Sequence, residues 1–435
     1  MVVIGGIIGA GIFVTPAGVA QQLDTPLLVL AAWIAGGAIA LAGAFSYAEL
    51  GALFPKAGGQ YVYLRDGLHP LAGFLYGWAL LLVIESGAIA AVAIIFANYA
   101  LHLVGASEAA RVPVAIGAIV LLSVINYLGV KPGSRVLNVL VVLKVAALAV
   151  LMGAAFFAGS HAGWFTETRA VVAAPAATIV AFGAAMVPIL FTYGGWQNAN
   201  YIGEEIDNPK RNLPVALIAG TVAVVIIYVT VNVVFLRAMG LNGLSTTSAP
   251  AADAARRMFG TGGDIFMSAA IAISTFGFLD LAILAPTRVY YAMAADRLFV
   301  PALAQLHPRY GTPGLAIVVQ SVWSSILALS GSYNQLANYV VFADWIFFGL
   351  TVLTVIMFRR SLPLSKRAPG AFQARGYPFI QILFVLIAAA VVASVVIGAP
   401  AAAAKGAVLI ALGIPVYYWY ARRSTSQRHN ATTPN

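Results

Sequence analysis

Long apolar runs, separated by short polar connections, dominate this chain and predict helices that span a membrane. A span of about 20 apolar residues suits the ~30 Å hydrocarbon core of a bilayer. Apolar runs bounded by Gly, Pro and charged clusters predict twelve helices, at residues 1–21, 27–54, 68–104, 112–129, 135–158, 175–204, 212–239, 263–294, 313–330, 335–358, 377–398 and 402–420. The third and eighth are longer than a span requires, which predicts tilt or extension beyond the bilayer. The polar segment 246–260 predicts a short surface helix.

Glycines interrupt the first and the sixth of these apolar runs. Gly5, Gly6, Gly9 and Gly11 crowd the first, and the stretch FTYGGWQN at 191–198 interrupts the sixth. Glycine readily leaves helical geometry. Non-helical backbone survives at membrane depth only where protein or a water-filled cavity surrounds it. Paired broken helices indicate a transporter binding site; the alternative is that these glycines only permit close helix packing.

The two breaks lie five helices apart, which is the spacing of two inverted repeats of five helices each. We therefore predict an all-α integral membrane protein with twelve transmembrane helices, of which helices 1 and 6 are discontinuous. The predicted transport core covers residues 1–358, two additional helices cover 359–421, and a cytoplasmic tail covers 422–435. The first helix begins at the first residue, so we expect a truncated or misassigned start.

Composition and charge support the membrane class. The chain has 435 residues, of which 61% are hydrophobic and 9% are charged, whereas a soluble domain has about 25% charged residues. Most Lys and Arg residues fall on one side of the predicted helices, which places both termini in the cytoplasm. The net charge of +10 thus reflects the excess of Lys and Arg in the predicted cytoplasmic connections. Because no soluble basic face is predicted, nucleic acid is not an expected partner.

Several other functional classes lack their sequence signatures. The five His residues are scattered and show no metal-ligand spacing. There is no zinc-protease motif, nucleophile elbow or phosphate-binding loop, so the chain is not expected to be an enzyme, and no cofactor is expected. A channel would need a continuous polar pore, but the polar residues cluster at mid-depth instead. The high Ala and Gly content is consistent with a bacterial source.

Four motifs, in order, resemble the amino acid–polyamine–organocation superfamily, and within it most closely the L-type amino acid transporter branch. They are IIGAGIFVTPAGV, FSYAELGALFPKAGGQYVYLRD, FTYGGWQNANYIGEEIDNPKRNLP and PTRVYYAMAADRLFVPALAQLHP, and the resemblance runs from about residue 2 to about residue 420. It implies a leucine-transporter-type fold that works by alternating access in a cell (inner) membrane.

The resemblance implies an amino acid site between the two breaks. The amides of Ala10 and Gly11 would hold the carboxylate at a helix N-terminus. Relatives often have Ser at the position of Ala10, so the carboxylate here relies on backbone N–H groups. Phe191 would cover the substrate as an aromatic gate. The remaining implied groups are the carbonyls of Ile7, Ile8, Phe191 and Gly194, which would accept from the ammonium group, and the side chains of Trp196 and Gln197, which would shape the side-chain pocket. An ordinary packing role for Trp196 is the alternative.

Buried ionisable residues are functional hypotheses in a membrane protein. Lys144 stands alone in the apolar run VLNVLVVLKVAALAVLMGAAFF. The resemblance implies that its ammonium occupies the sodium position of sodium-coupled members and contacts helix 1 carbonyls such as that of Gly5. Sodium-independent transport follows. The alternative is a lysine that extends to the cytoplasmic surface.

Asp280 and Asp344 depart from L-type relatives, which tend to have Asn at both positions. Asp280 could bind a cationic or hydroxylated side chain, could carry a proton, or could be a structural partner that is hydrogen-bonded or paired to Lys144. We expect Asp344 to cap or bridge helices, and a role in substrate binding is the alternative. For Glu85 the sequence supports only a packing or hydrogen-bonding role.

The sequence therefore predicts a sodium-independent secondary transporter of neutral L-amino acids, working as an exchanger or with protons. The alternative is a carrier of cationic amino acids or polyamines that uses Asp280. The expected partners are an amino acid substrate and the lipid bilayer. Animal L-type light chains are tethered to a glycoprotein by a cysteine after helix 3. This chain has no cysteine, so no disulfide-linked heavy subunit is expected.

Overall fold

Helices form at all twelve predicted segments in the computed structural model, which describes residues 1–157, 159–168, 175–330, 333–361 and 372–431. The helices are α1 (Val2–Ile7), α2 (Gly11–Gln22), α3 (Pro26–Leu53), α4 (Gln60–Gly67), α5 (Pro70–Ala79), α6 (Glu85–Val104), α7 (Arg111–Leu128), α8 (Val130–Phe157), α9 (Pro175–Thr192), α10 (Asn198–Tyr201), α11 (Pro209–Thr246), α12 (Pro250–Phe259), α13 (Thr261–Leu284), α14 (Thr287–Ala295), α15 (Gly314–Ser330), α16 (Tyr333–Ser361), α17 (Phe379–Gly398), α18 (Pro400–Ala411) and α19 (Gly413–Ala431). No strand occurs among the described residues.

The all-helical membrane architecture is confirmed. Within the described ranges, nine helices are long and apolar enough to cross a membrane. Two shorter apolar helices, Thr178–Thr192 and Gly314–Leu329, add to them. The first segment consists of the two short helices α1 and α2. The count of twelve spans stays a prediction.

The structure corrects several details of the long segments. A π-helical turn at Leu80–Ile84 joins α5 to α6, and a bend at Pro286 separates α13 from α14. The chain leaves helical geometry at Gly240, whose φ is +69°, directly after the predicted end of the seventh helix at residue 239, and α11 then resumes to Thr246. Helix α4 was not predicted and lies in the connection between the predicted helices at 27–54 and 68–104. Helix α19 continues to Ala431, and residues 432–435 lie outside the described part. The cytoplasmic tail at 422–435 stays a prediction.

Burial separates central helices from peripheral ones. In the apolar window of Pro70–Val104, 89% of the residues are buried inside the protein, against 22% in the window of Pro400–Arg422. Helix α6 packs against α13, α15 and α16, and α3 packs against α11 and α9. The protein interior therefore lies around α6, and the C-terminal helices lie at the periphery. The two breaks face this interior.

Candidate functional site

The first break lies between α1, which ends at Ile7, and α2, which begins at Gly11. Lys144 of α8 donates to the carbonyls of Gly5 at 3.1 Å and Ile8 at 2.5 Å. Its side chain is fully enclosed, with 1% exposure. A buried ammonium needs such acceptors, and carbonyls at the end of a helix have no intrahelical donor. Lys144 thus anchors the end of α1 to α8, and the predicted contact with Gly5 is present.

The second break lies between α9 and α10 and contacts the first break directly. Gly195 adopts φ +104°, and a Cβ on Gly6 would lie 2.7 Å from the Gly195 carbonyl oxygen. Only a residue without a side chain permits this approach of two backbones. The Gln197 side chain accepts from the Gly195 amide at 2.9 Å. The hydroxyl of Tyr228 on α11 donates to the Ile7 carbonyl at 2.8 Å.

Two threonines join the halves of the site on the side of α2. The hydroxyls of Thr15 and Thr192 lie 2.8 Å apart. Gly11 faces the same threonine, since a Cβ at Gly11 would lie 2.5 Å from the Thr192 Oγ1 atom. The amides at the start of α2 have no intrahelical acceptor. Glycine at position 11 therefore brings those amides next to the second break.

A central cavity of about 50 Å³ lies between the two breaks, α6, α13 and α16. The central cavity is bordered by Ile7, Gly9, Ala10, Gly11, Ile84, Glu85, Ala88, Val92, Leu190, Phe191, Thr192, Gly194, Gly195, Gln197, Asn198, Phe278, Val340, Val341, Asp344 and Trp345. At ~10–15 Å³ for each water molecule, this volume suits a small ligand. Its walls combine helix-end amides and carbonyls, apolar side chains and two carboxyl groups.

A larger vestibule of about 560 Å³ lies beyond Phe191, between α2, α9, α16 and α17. Phe191 and Val341 border both the vestibule and the central cavity. The Phe191 ring therefore lies between the two spaces, at the place where a gate was predicted. Asn338 and Ser394 add polar groups to the vestibule wall. The vestibule gives the central cavity an approach from one side.

Ion pairs close the opposite side of the protein. Glu49 of α3 accepts two hydrogen bonds from Arg359 of α16, at 2.7 and 2.6 Å. Asp296 pairs with Arg65 and also accepts from the Tyr61 hydroxyl at 2.7 Å. Burial, together with the bond to Asp296, raises the pKa of Tyr61. These contacts join α3 to α16, and α4 to the end of α14, and this face is called the closed side.

The predicted site residues divide into two groups. Six of them border the central cavity together: Ile7, Ala10, Gly11, Phe191, Gly194 and Gln197. Three others are absent from the cavity lining that the described residues form: Ile8, Trp196 and Asp280. The Ile8 carbonyl accepts from Lys144 instead.

Trp196 and Asp280 have other partners. Trp196 packs on Tyr47, with ring centroids 4.6 Å apart, and stacks on Phe348 at 5.2 Å. Asp280 accepts from the Asn126 side chain of α7 at 2.7 Å. The predicted pairing of Asp280 with Lys144 is not among the ion pairs of the described residues. Both side chains stabilise contacts between helices in this structure.

Sequence reasoning did not assign Glu85, Thr192 or Tyr228 to the site. Glu85 and Thr192 border the central cavity, and the Tyr228 hydroxyl donates to the Ile7 carbonyl at the first break. A signal was present for Tyr228, the one aromatic residue in the aliphatic run VAVVIIYVTVNVV. For Glu85 the signal was its charge within the apolar run of α5 and α6. Thr192 carried no such signal, because threonine is common in membrane helices.

Comparisons with known proteins agree with this architecture. Residues 1–420 match the family described as "Amino acid permease". The "Serine/threonine exchanger SteT" of Bacillus subtilis is 30% identical over 427 residues, covering 98% of this chain and 95% of that protein. The human "Large neutral amino acids transporter small subunit 2" is 31% identical, covering 96% of this chain and 78% of that protein. The mouse "Asc-type amino acid transporter 1" is 28% identical, covering 96% and 79%.

Proposed function

The chain belongs to the amino acid permease family, and from that premise we propose that it is a sodium-independent secondary transporter of neutral L-amino acids. Transport occurs by alternating access through the central cavity. The observation that carries the proposal is the meeting of two broken helices at a small cavity with both backbone donors and acceptors. An amino acid needs donors for its carboxylate and acceptors for its ammonium group, and helix ends supply both. Family membership already makes the chain a membrane transport protein and not an enzyme.

In the proposed binding mode, the carboxylate lies at the start of α2, against the amides of Ala10 and Gly11. The ammonium group lies against the Gly194 carbonyl, because the Ile7 carbonyl already accepts from the Tyr228 hydroxyl at 2.8 Å and from the Gly9 amide at 2.9 Å, which uses both of its lone pairs. The Ile8 carbonyl is also engaged, because it accepts from Lys144. The side chain then faces Phe278 and Trp345, whose rings favour an apolar group.

We propose that the closed side faces the cytoplasm, so that the structure represents an outward-open conformation. Lys and Arg residues concentrate in cytoplasmic connections of membrane proteins, and Arg65 and Arg359 both lie on the closed side. Phe191 would restrict the passage from the vestibule. Opening of the closed side then requires separation of the Glu49–Arg359 pair.

Sodium independence is proposed on the position of Lys144. Its ammonium bonds two carbonyls at the end of α1, where a metal ion would also need carbonyl oxygens. A second cation at the same carbonyls would repel the first. A stand-alone carrier is also proposed, since the chain lacks any cysteine for a disulfide to a second subunit.

Carriage of cationic amino acids or polyamines is the second candidate. The residue first considered for it, Asp280, accepts from Asn126 and does not border the cavity described here. Glu85 and Asp344 do border the cavity, and these two carboxyl groups now favour this candidate. The apolar wall formed by Ile84 and Phe278 favours a neutral side chain.

The test is counterflow in proteoliposomes that contain the purified protein. Vesicles loaded with unlabelled L-serine are diluted into labelled L-serine, with a panel of competitors and with sodium or choline as the outer cation. The proposal predicts competition by alanine, threonine or leucine, and equal uptake in the two buffers. Stronger competition by lysine, arginine or putrescine would move the proposal to cationic substrates. A requirement for sodium would contradict the role of Lys144.

A further inference from the structure

Glu85 is placed at the central cavity by an irregularity of its own helix. The π-helical turn Leu80–Ile84 ends directly before Glu85, and Ser86 donates across it to the Leu81 carbonyl at 2.6 Å. Such turns insert one extra residue into the helix and often mark functional positions. Glu85 is 4% exposed and borders the cavity. A carboxyl group at this depth in a membrane helix is costly unless it has a role.

Asp344 of α16 reaches the same cavity from another helix. It is 8% exposed, and its Oδ1 atom has no hydrogen-bond partner among the described residues. Buried carboxylate oxygens without a partner are rare in folded proteins. Trp345 borders the cavity beside it. The cavity thus contains an acceptor that the protein itself does not satisfy.

No cation balances these two acids among the residues that the structure describes. The carboxyl groups of Glu85 and Asp344 interact with each other electrostatically, but neither forms an ion pair with Lys, Arg or His. Lys144 is held at the end of α1 by the carbonyls of Gly5 and Ile8. Two bare carboxylates in one buried site repel each other and cannot both stay ionised.

The titratable groups that face the pair from other helices are tyrosines. Tyr201 of α10 interacts with both acids. Tyr47 of α3 and Tyr76 of α5 face Asp344, while Tyr290 of α14 faces Glu85. The Tyr76 and Tyr201 hydroxyls are hydrogen-bonded to each other. Tyrosines are neutral near pH 7, so they can donate hydrogen bonds but supply no positive charge.

We propose that Glu85 and Asp344 together form a proton site that couples amino acid transport to the proton gradient. The pair takes up one proton while the cavity is open to the vestibule and releases it after the closed side has opened. One proton and one zwitterionic amino acid therefore move in the same direction in each cycle, and one positive charge crosses the membrane. The inference rests on the proposed function, because the amino acid must pass through the same cavity.

The coupling follows from the shared cavity. A zwitterion brings no net charge, so its ammonium group cannot neutralise both acids and its own carboxylate at once. A proton on the pair removes the repulsion between the acids and lets the cavity close around the substrate. An unprotonated pair would resist closure around a bound amino acid, because the amino acid displaces the water that solvates two adjacent charges. The empty cavity keeps that water, so the unprotonated carrier can return without substrate.

The experiment measures proton entry and amino acid entry in the same proteoliposomes. Vesicles without internal substrate contain the pH dye pyranine, with valinomycin and potassium to cancel the membrane potential. External labelled L-serine is added at equal pH on both sides. The wild-type protein should acidify the lumen by about one proton for each serine that enters. Glu85→Gln and Asp344→Asn should each lower this ratio to near zero.

Asp280→Asn is the matched control, because it also converts a buried aspartate to its amide but lies outside the described cavity lining. It should keep the wild-type ratio. Each variant is first tested for monodispersity in detergent and for serine counterflow, so that a folding defect in one acid variant leaves the other as the test.

The other possible results contradict different parts of the proposal. Serine counterflow without proton entry in the wild-type protein would overturn the proton site and leave the proposed function intact. Full proton entry in both acid variants would overturn the assignment to this pair. Entry of lysine without protons, in preference to serine, would show that the pair binds a cationic side chain instead. Absence of any amino acid transport would overturn both proposals.

Discussion

Replacement of Lys144 by Met should loosen the first break from the rest of the protein. The substitution keeps the length of the side chain but removes the ammonium that donates to the Gly5 and Ile8 carbonyls. A hydrogen bond to a charged group contributes about 1.5–3 kcal/mol. At the lower bound, two such bonds contribute about 3 kcal/mol to the docking of α1 against α8.

This loss is large enough to measure as substrate affinity. Since 1.4 kcal/mol corresponds to a factor of ten, about 3 kcal/mol lowers the docking equilibrium by roughly 150-fold. The apparent dissociation constant rises as the competent fraction falls. Equilibrium binding of labelled L-serine to the purified protein should therefore weaken by one to two orders of magnitude.

Lys405 provides the matched control, because it lies exposed on α18. Lys405→Met makes the same chemical change and should leave serine binding unaltered. The reasoning would be refuted by a folded Lys144→Met protein that binds serine within about twofold of the wild-type affinity. Added sodium offers a further check, since restoration of binding by sodium would show that Lys144 occupies a cation position.

Two further substitutions test the site. Gly11→Ala should abolish serine binding, because its Cβ would lie 2.5 Å from the Thr192 Oγ1 atom. Gly18→Ala in the same helix is the control, since its Cβ would meet nothing within 4 Å and the variant should bind serine normally. Equal binding by the two variants would contradict the placement of the break. Asp280→Asn should leave the competition profile of serine counterflow unchanged, because Asp280 accepts from Asn126 away from the described cavity lining. Stronger or weaker competition by lysine in this variant would place Asp280 in the substrate site.

The helices and both breaks were predictable because their signals are local. Hydrophobic length defines a membrane helix, and glycine clusters mark the places where the helix stops. The position of Gly6 against Gly195 follows from the same signal, since only glycines allow two backbones to approach so closely. The domain division at residue 358 is not tested by the structure and stays a prediction.

The side-chain partners were not predictable in the same way, because they depend on the rotation of each helix. Asp280 was expected in the pocket, but α13 turns it toward Asn126 of α7. Glu85 was expected only to pack, but the π-helical turn before it changes the register of α6 and brings it to the cavity. Trp196 faces Tyr47 instead of the cavity; it lies in the non-helical break between α9 and α10, where no helical periodicity predicts the direction of a side chain.

The absence of cysteine makes one measurement especially direct, because a single introduced thiol is then the only one in the chain. Ala88 borders the central cavity and Asn338 borders only the vestibule. In proteoliposomes that retain serine counterflow, saturating L-serine should protect Ala88→Cys, but not Asn338→Cys, from a water-soluble methanethiosulfonate reagent. Undiminished labelling of an active Ala88→Cys protein in saturating serine would contradict the assignment of the central cavity as the substrate site.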